Sequence, residues 1–285
     1  MALIFSTALS VTTSVPISLT PFFAKVFNSM VLYEAHYFYP SIFHKLLLRF
    51  MFLNKRLSVV CITNALSRKF KDYFNINPLL LPSAGFLHLS NDYISYKRQM
   101  ILKGDNTFMK VAYCGSISPG KGIEVFLRLA KSLPNVQFLL ITKGRPDVDL
   151  VLAKNIEFYS DLNHSQVLEK LKLASVFLLP NSEKVVLDGN IDIGPYTSPL
   201  KLFDYLSCFG LILSSNALVL REILNDEIAI FNDSFEHWER NLVRILNSRL
   251  EIVKFADTSY NYFKEKYTWE ARSKHVYEIF SRQLQ

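Results

Sequence analysis

Cysteine is scarce in this chain. Its 285 residues include three cysteines, Cys61, Cys114 and Cys208, which are far apart and lie in apolar segments. An odd number at such spacing favours neither a disulfide framework nor a cysteine-based metal site. We therefore expect reduced, buried thiols in a cytoplasmic protein.

Long apolar runs are also lacking. No uninterrupted run reaches the roughly 18 residues of a membrane-spanning helix. The N-terminal segment MALIFSTALSVTTSVPISLTPFF has no basic residue ahead of its apolar part, and Pro16 and Pro21 interrupt it. We expect neither a signal peptide nor a membrane span there.

The chain is rich in apolar residues and in positive charge. Hydrophobic residues make up 50% of it and the formal net charge is +7, so a folded core and anionic partners are expected. A phosphorylated ligand, an acidic membrane surface and nucleic acid all fit that charge. Because the basic residues are spread without a recognised nucleic-acid-binding module, we expect no nucleic-acid partner.

Short apolar runs alternate with segments of helical periodicity along the chain, which is typical of parallel α/β architecture. The first half contains strands 2–9, 30–34, 58–63 and 78–86 and helices 15–28, 41–57 and 64–74, the last capped by Thr63 or Asn64. In the second half we predict strands 108–114, 136–142, 155–159, 175–180, 210–214 and 227–231, and helices 121–132, 164–173, 198–208 and 217–224 before three C-terminal helices.

A polar stretch at 89–107 separates the two halves. It is less periodic than its surroundings, and KGDNT at 103–107 has the composition of a linker. We predict a first domain at 1–105 and a second at 106–266, with a C-terminal helix at 267–285 that packs back on the first.

The segment KVAYCGSISPGKGIEVFLRLAKSL at 110–133 predicts a strand, a glycine-bounded loop and a helix. Its loop places Lys121 and backbone amides at a helix N-terminus, where an anion such as phosphate is favoured. The spacing from Gly115 to Lys121 matches a P-loop, but Gly122 stands where the Mg²⁺-binding Ser or Thr is needed, so a P-loop NTPase is disfavoured. A plain strand–helix turn with a solvated lysine is the alternative.

A second helix start carries a lysine as well. In SPLKLFDYLSCFG at 198–210, Ser198 is a candidate N-cap, Pro199 fits the first helical position and Lys201 lies in the first turn. The macrodipole disfavours a cation there unless an anion is close, so Lys201 indicates a ligand, with a solvated lysine as the alternative. Asp204 is a candidate acceptor for the vicinal hydroxyls of a ribose.

These two segments, together with NIEFYSDLNHSQVLEKLKLASVFLLPN at 155–181, resemble the nucleotide-sugar half of glycosyltransferase family 4, a retaining GT-B family. The resemblance runs from about residue 108 to KYTWEARSKHVYEIF at 266–280. It implies a fold of two Rossmann-like doubly wound domains and the transfer of a hexosyl unit from a nucleoside-diphosphate sugar to a glycan or lipid-linked acceptor, as in polysaccharide biosynthesis. No cofactor is implied, and without a carboxylate cluster we expect no metal.

The resemblance also implies a donor-binding set, namely Gly115, Ser116, Lys121, Lys143, Ser198, Pro199, Leu200, Lys201 and Asp204. Three positions depart from the family. Ser116 stands where many members have arginine, Asp204 where a ribose-binding glutamate is usual, and Tyr196 where the first glutamate of the E-x7-E pair falls. More of the phosphate charge then falls to Lys121, Lys143 and Lys201.

In the first half, VLYEAH at 31–36 is similar to a family segment that ends a strand with Glu-x-His. The resemblance implies that His36 lies near the transferred sugar, and we predict His36 and Lys121 as catalytic residues. A structural role is the alternative for a lone histidine.

The first half is short for a complete GT-B domain, so we expect its front part, with the acceptor loop, to lack a counterpart here. The competing hypothesis is a catalytically incomplete nucleotide-sugar-binding subunit that needs a partner chain for the acceptor site.

The segment SIFHKLLLRFMFLNKRL at 41–57 mixes aromatic, aliphatic and basic residues. Such a helix suits the surface of an anionic membrane, which would place the protein peripherally on the inner face. A core helix with solvated basic residues is the alternative.

Overall fold

A computed structural model describes residues 2–5, 30–38, 42–53, 57–144, 153–184, 186–187, 191–192, 194–196 and 200–283. The predicted helix 15–28 lies outside these residues. Contacts divide the chain into two compact units. Unit 1 comprises residues 1–83, 195–198 and 272–285, and unit 2 comprises residues 84–194 and 199–271.

Unit 1 contains a four-stranded sheet in the order β1-β2-β3-β4. Its strands are β1 (Ala2–Phe5), β2 (Met30–Ala35), β3 (Leu57–Cys61) and β4 (Leu79–Leu80). The last three run parallel, whereas β1 pairs antiparallel with β2. The parallel arrangement expected for the first two strands is therefore wrong, because an apolar run is the same in either chain direction and an edge strand of a parallel sheet tolerates both.

Two helices follow strands of unit 1, α1 (Ile42–Phe52) after β2 and α2 (Asn64–Phe74) after β3. Of the two candidate caps, Thr63 is the N-cap of α2, and its Oγ1 accepts the Leu66 N–H at 3.3 Å. One face of the sheet packs with these helices in an aromatic core that includes Tyr33, Met51 and Phe70.

Unit 2 is built on a six-stranded parallel sheet in the order β12-β11-β8-β5-β6-β7. The strands are β5 (Lys110–Gly115), β6 (Phe138–Thr142), β7 (Ile156–Ser160), β8 (Ala174–Leu179), β11 (Leu211–Ser215) and β12 (Ala229–Asn232). A separate pair, β9 (Val186–Leu187) and β10 (Ile191–Asp192), is antiparallel. The strand order reverses between β5 and β8, the position where sheets of this type bind ligands.

Helices cover both faces of this sheet. They are α3 (Asn91–Lys103), α4 (Ile123–Ser132), α5 (His164–Leu171), α6 (Leu200–Ser207), α7 (Leu218–Arg221), α8 (Phe235–Leu246) and α9 (Arg249–Lys266). Alternate residues of each strand enter two separate apolar cores. Ala112 and Phe177 belong to one core, and Tyr113 and Leu178 belong to the other. This alternation shows that both faces of the sheet are buried, as in a doubly wound fold.

The two units divide between Ser83 and Ala84, whereas we predicted a domain boundary at residue 105. The polar stretch is largely helix α3, capped by Ser90 and ended by Gly104 at φ 74°. Lys97 lies fully buried on it and donates to the carbonyls of Ala174 and Cys208, at 2.7 Å each. A polar side chain that is buried but satisfied leaves no apolar periodicity, which is why the sequence indicated a linker.

The chain returns to unit 1 within its last helix, α10 (Trp269–Gln283), from Arg272 onward. Phe280 packs with Leu32, Val60 and Leu81, so this helix covers part of the unit 1 sheet. Across the described ranges, no helix combines the length and the apolarity needed to cross a bilayer.

Candidate functional site

The loop between β5 and α4 ends in backbone conformations with positive φ, which favour glycine. Gly120 and Gly122 adopt φ values of 83° and 80°, and a Cβ on Gly122 would lie 2.1 Å from the Pro180 carbonyl oxygen. The Ser182 N–H donates to the Gly120 carbonyl at 2.9 Å. The loop is therefore held against the carboxyl end of β8, at the strand-order reversal.

The start of α4 is open to an anion. Its N-cap is Gly122, which supplies no side-chain hydrogen bond to the first turn. The first amides of a helix point outward with the positive end of the macrodipole. Lys121 precedes this turn, and partial burial lowers the pKa of its ammonium.

Lys201 enters the same region from the first turn of α6. Its Nζ lies 4.6 Å from the centroid of the Tyr113 ring and has no hydrogen-bond partner among the described residues. A Cβ on Gly115 would approach this Nζ to 3.3 Å, so the glycine leaves room beside the ammonium. Burial, together with the positive charge of Lys121, lowers the pKa of Lys201 to about 7.

Tyr205 fixes α6 against the sheet. The last residues that pair between β5 and β8 are Ala112 and Phe177, so Cys114 lies past the end of this pairing. The Tyr205 hydroxyl accepts the Cys114 N–H at 2.7 Å and lies 3.2 Å from the Cys114 carbonyl, to which it donates. Since Lys201 is one helical turn before Tyr205, this bridge sets the lysine beside Gly115.

A cavity of about 360 Å³ opens next to these groups, and residues that follow β5, β6 and β7 line it, among them Gly115, Lys143 and Asp161. The Gly144 N–H donates to Asp161 Oδ1 at 3.0 Å, which ties the loop after β6 to the end of β7. Lys143 is exposed at the mouth. The cavity thus has the location that ligands occupy in open α/β sheets.

Asp204 has a partner that the sequence did not indicate. Its Oδ1 lies 2.9 Å from Nε2 of His164, the first residue of α5. Burial raises the pKa of the Asp204 carboxyl, and the hydrogen bond from His164 acts in the opposite direction. A hydroxyl ligand at this position would meet the imidazole together with the carboxylate.

His36 belongs to unit 1 and follows β2. Its Nε2 lies 2.9 Å from Glu34 Oε1, and Arg272 Nη2 of α10 lies 2.8 Å from the same oxygen. Burial raises the pKa of Glu34, but the hydrogen bonds and charges of His36 and Arg272 outweigh it, so the net pKa is lowered. Glu34 is therefore an ionised acceptor that orients the imidazole of His36.

The structure brings Gly115, Lys121 and Lys201 together, with Ser116 in the same loop and Lys143 at the cavity. Leu200 is exposed at the start of α6, and Ser198 and Pro199 lie outside the described residues. Within the described part of the chain, no group of three or more His, Cys, Asp or Glu side chains is arranged to hold a metal.

Sequence reasoning missed two polar groups around this site, Tyr205 and His164, whereas the position of Asn181 directly after an apolar run did single it out. Tyr205 carries a signal, since it lies four residues after Lys201 on the same helix. His164 shows no such signal, because its contact with Asp204 joins residues 40 positions apart. The side-chain oxygen of Asn181, after β8, is buried with no hydrogen-bond partner among the described residues.

No protein-family model and no curated protein matches this sequence. Solved structures do match. Sucrose-phosphate synthase from Thermosynechococcus elongatus has a TM-score of 0.64 at 15% identity over 89% of this chain and 67% of its own. The Anabaena protein HepE in complex with UDP has a TM-score of 0.66 at 13% identity, over 93% of this chain and 76% of its own. A glycosyltransferase from Rickettsia africae has a TM-score of 0.65 at 10% identity, over 97% of this chain and 84% of its own.

The structures similar to this chain are GT-B glycosyltransferases. The predicted fold class, α/β and GT-B-like with Rossmann-like units, is therefore confirmed.

Proposed function

We propose that this chain of GT-B fold is a glycosyltransferase that moves a hexosyl unit from a nucleoside-diphosphate sugar to a glycan or lipid-linked acceptor, with retention at the anomeric carbon. The observation that carries the proposal is the buried ammonium of Lys201, which lies beside Gly115 and close to Lys121 and has no hydrogen-bond partner among the residues that the structure describes. The positive charge of Lys121 helps to lower the pKa of Lys201, and a diphosphate bound between the two lysines would favour the charged form of both.

The chemistry follows from the placement of these charges. In transfer, the anomeric carbon loses its bond to a diphosphate oxygen and gains one to the acceptor oxygen, so negative charge builds up on the departing diphosphate. Lys121, Lys201 and the amides at the start of α4 stabilise that charge without rearrangement. We expect this electrostatic effect, with no metal, to supply much of the catalysis.

The remaining donor contacts follow from position. The cavity between Lys143 and Asp161 takes the nucleoside, the Asp204–His164 pair holds its ribose hydroxyls, and Ser116, Ser198, Pro199 and Leu200 contribute around the phosphates. In unit 1, His36, oriented by Glu34, is our proposed further catalytic residue. The similar protein HepE has been solved in complex with UDP and with UDP-glucose, so these are the first ligands to test.

The donor site is tested by calorimetry with UDP and UDP-glucose on the full chain and on the variants Lys121→Ala and Lys201→Met. We expect each variant to weaken binding at least tenfold, because each removes a cation next to the diphosphate. Lys131→Ala, an exposed lysine at the end of α4, is the matched control and should bind as the parent does.

Melting temperature separates lost binding from lost fold. Lys201→Met removes a buried ammonium that has no hydrogen-bond partner in the described ranges, so the melting temperature of this variant without ligand should be equal to or above that of the parent. Unchanged affinity in both Lys121→Ala and Lys201→Met would overturn the donor assignment.

A catalytically incomplete nucleotide-sugar-binding subunit is the competing function, because Lys121, Lys201 and Asp204 of the proposed donor site all belong to unit 2. Release of nucleoside diphosphate from the sugar donor by the isolated chain, with or without added acceptor, supports the enzyme. Tight donor binding without any turnover supports the subunit and its need for a partner chain.

A further inference from the structure

Tyr113 is a strand residue whose side chain reaches the loop of the proposed donor site. It lies on β5, is 0% exposed, and its ring packs against Phe126 of α4 at a centroid distance of 5.8 Å. A phenylalanine would fill the same space, so the hydroxyl adds nothing to this packing. A hydroxyl in such a core costs free energy unless hydrogen bonds satisfy it.

The Tyr113 hydroxyl joins the two ends of the loop between β5 and α4. Its oxygen lies 3.2 Å from the Ser116 carbonyl oxygen and 3.1 Å from the Lys121 carbonyl oxygen, and it donates to both. Because a phenol has a single hydrogen, the two carbonyls share it. One side chain thereby fixes a residue near the start of the loop and the lysine near its end.

These hydrogen bonds also set the direction of two N–H groups. The described ranges contain no cis peptide bond, and a trans peptide points its N–H opposite to its carbonyl. Since the carbonyls of Ser116 and Lys121 are held at the hydroxyl, the N–H groups of Ile117 and Gly122 are directed away from it. Neither N–H donates to a described residue, so both can receive an anion.

The ring of the same tyrosine faces the second lysine of the site. Lys201 Nζ lies 4.6 Å from the ring centroid, within the range of a cation–π interaction. The ammonium has no hydrogen-bond partner in the described part of the chain, so this attraction helps to hold it in the absence of a ligand. A Cβ on Gly115 would lie 3.1 Å from the Tyr113 hydroxyl and 3.3 Å from Lys201 Nζ, so both groups adjoin the same glycine.

We infer that Tyr113 is a positioning residue of the proposed donor site, which sets the loop amides and the Lys201 ammonium in place for a diphosphate before it binds. This inference rests on the proposed function, because it concerns the same site. The tyrosine acts through the loop and through Lys201 rather than by contact with the ligand. Groups that are already in place lose less conformational freedom when the ligand binds, which strengthens binding.

Calorimetry with inorganic pyrophosphate and with UDP tests the inference on the full chain. Tyr113→Phe removes the hydroxyl and keeps the ring, and we expect it to weaken the binding of both ligands at least fivefold, because the loop carbonyls lose their common donor. Tyr113→Leu also removes the ring beside Lys201, so it should weaken binding at least threefold more.

Tyr260→Phe is the matched control. Tyr260 is buried on α9, and its hydroxyl donates to the Leu89 carbonyl at 3.5 Å, so this variant also removes one hydroxyl–carbonyl contact from unit 2. We expect its melting temperature to fall by about as much as that of Tyr113→Phe, while both ligands bind as they do to the parent.

A second comparison separates positioning from a general loss of packing. If the ring acts through the ammonium of Lys201, then in a Lys201→Met background Tyr113→Leu should bind pyrophosphate and UDP no more weakly than Tyr113→Phe does. A packing defect would persist in that background.

Unchanged affinity in Tyr113→Phe would overturn the inference and leave the donor site in place. An additional loss in Tyr113→Leu that persists in the Lys201→Met background would do the same. A parent chain that binds neither ligand would overturn the donor site and this inference together.

Discussion

Two lysines with a buried ammonium, Lys97 and Lys201, differ in whether a hydrogen-bond partner surrounds the charge, and this difference separates a structural role from a ligand-binding one. Burial lowers the pKa of both Lys97 and Lys201 to about 7. Lys97 is paired with two backbone carbonyls, so its cost is offset and it holds α3 and α6 to the sheet. Lys201 has no such partner in the described part of the chain, so its burial favours a ligand.

The depressed pKa of Lys201 predicts that ligand binding takes up a proton. Above about pH 7 the free lysine is largely neutral, and a bound diphosphate raises its pKa because an adjacent anion favours the charged form. At pH 8 we expect an uptake approaching about one proton per nucleotide, and little uptake from this group at pH 6. Calorimetry of UDP binding in buffers of different ionisation enthalpy measures it.

Lys201→Met and the Lys131→Ala control make this prediction specific. Any nucleotide binding that remains in Lys201→Met should lack the uptake at pH 8, whereas Lys131→Ala should retain it. Binding by the parent that is independent of buffer at pH 8 would contradict the assignment of this pKa.

At the scale of elements, the site depends on a few tight junctions between strands and helices. The loop from β5 to α4 approaches Pro180 so closely that Gly122 has no room for a side chain. The bridge from Tyr205 to Cys114 then sets the distance between α6 and β5. These junctions, more than the helices themselves, bring the two lysines to one place.

Two glycines with the same backbone conformation test this junction. Gly122→Ala and Gly144→Ala both place a side chain at a positive φ, 80° and 77°, which costs roughly 1–2 kcal/mol. At Gly144 a Cβ meets no atom within 4 Å, whereas at Gly122 it meets the Pro180 carbonyl at 2.1 Å. We expect Gly122→Ala to lose at least twice as much free energy of unfolding, as measured by urea denaturation. Equal losses would contradict the close packing of this loop.

At the scale of the whole molecule, α10 joins the end of the chain to the sheet of unit 1. Arg272 contacts Glu34 and donates through Nε to the Pro82 carbonyl at 2.8 Å. The Arg272 and Glu34 side chains are 9% and 11% exposed, so water screens this pair little. The last helix thereby sets the charge next to His36.

Removal of this arginine should destabilise unit 1. Arg272→Met leaves a largely buried carboxylate without its cation, and we expect a loss of about 3 kcal/mol in the free energy of unfolding at pH 7. Because the folded pKa of Glu34 is lowered, the stabilisation is complete above its ordinary value of 4.5 and disappears as the pH falls through the folded pKa. Urea denaturation at pH 7 and in acid measures the difference.

A more exposed pair provides the control. Arg98 pairs with Asp257, and both side chains are 36% exposed, so Arg98→Met should cost under about 1 kcal/mol at pH 7. An equal cost for Arg272→Met would mean that the Glu34 pair contributes no more than a surface ion pair.

Much of the fold could be predicted from the sequence because strands and helices of this type have local patterns. Apolar runs such as FLLIT at 138–142 and the periodicity of α4 are visible without a structure. Helix α3 could not be predicted because the hydrogen-bond partners of Lys97 and Arg98 lie far along the chain. The direction of β1 could not be predicted because an apolar run looks the same in both chain directions. The contact between His164 and Asp204 could not be predicted either, because these residues are 40 positions apart in the chain.

By itself, the sequence determined the alternation of strands and helices and the presence of a lysine at the start of two helices, since both are properties of neighbouring residues. The tertiary structure decided that β5 lies beside β8, that the Lys201 ammonium is buried next to Gly115, and that Asp204 lies beside His164. These features depend on strand order and on which surfaces are covered, and contacts between distant segments set both.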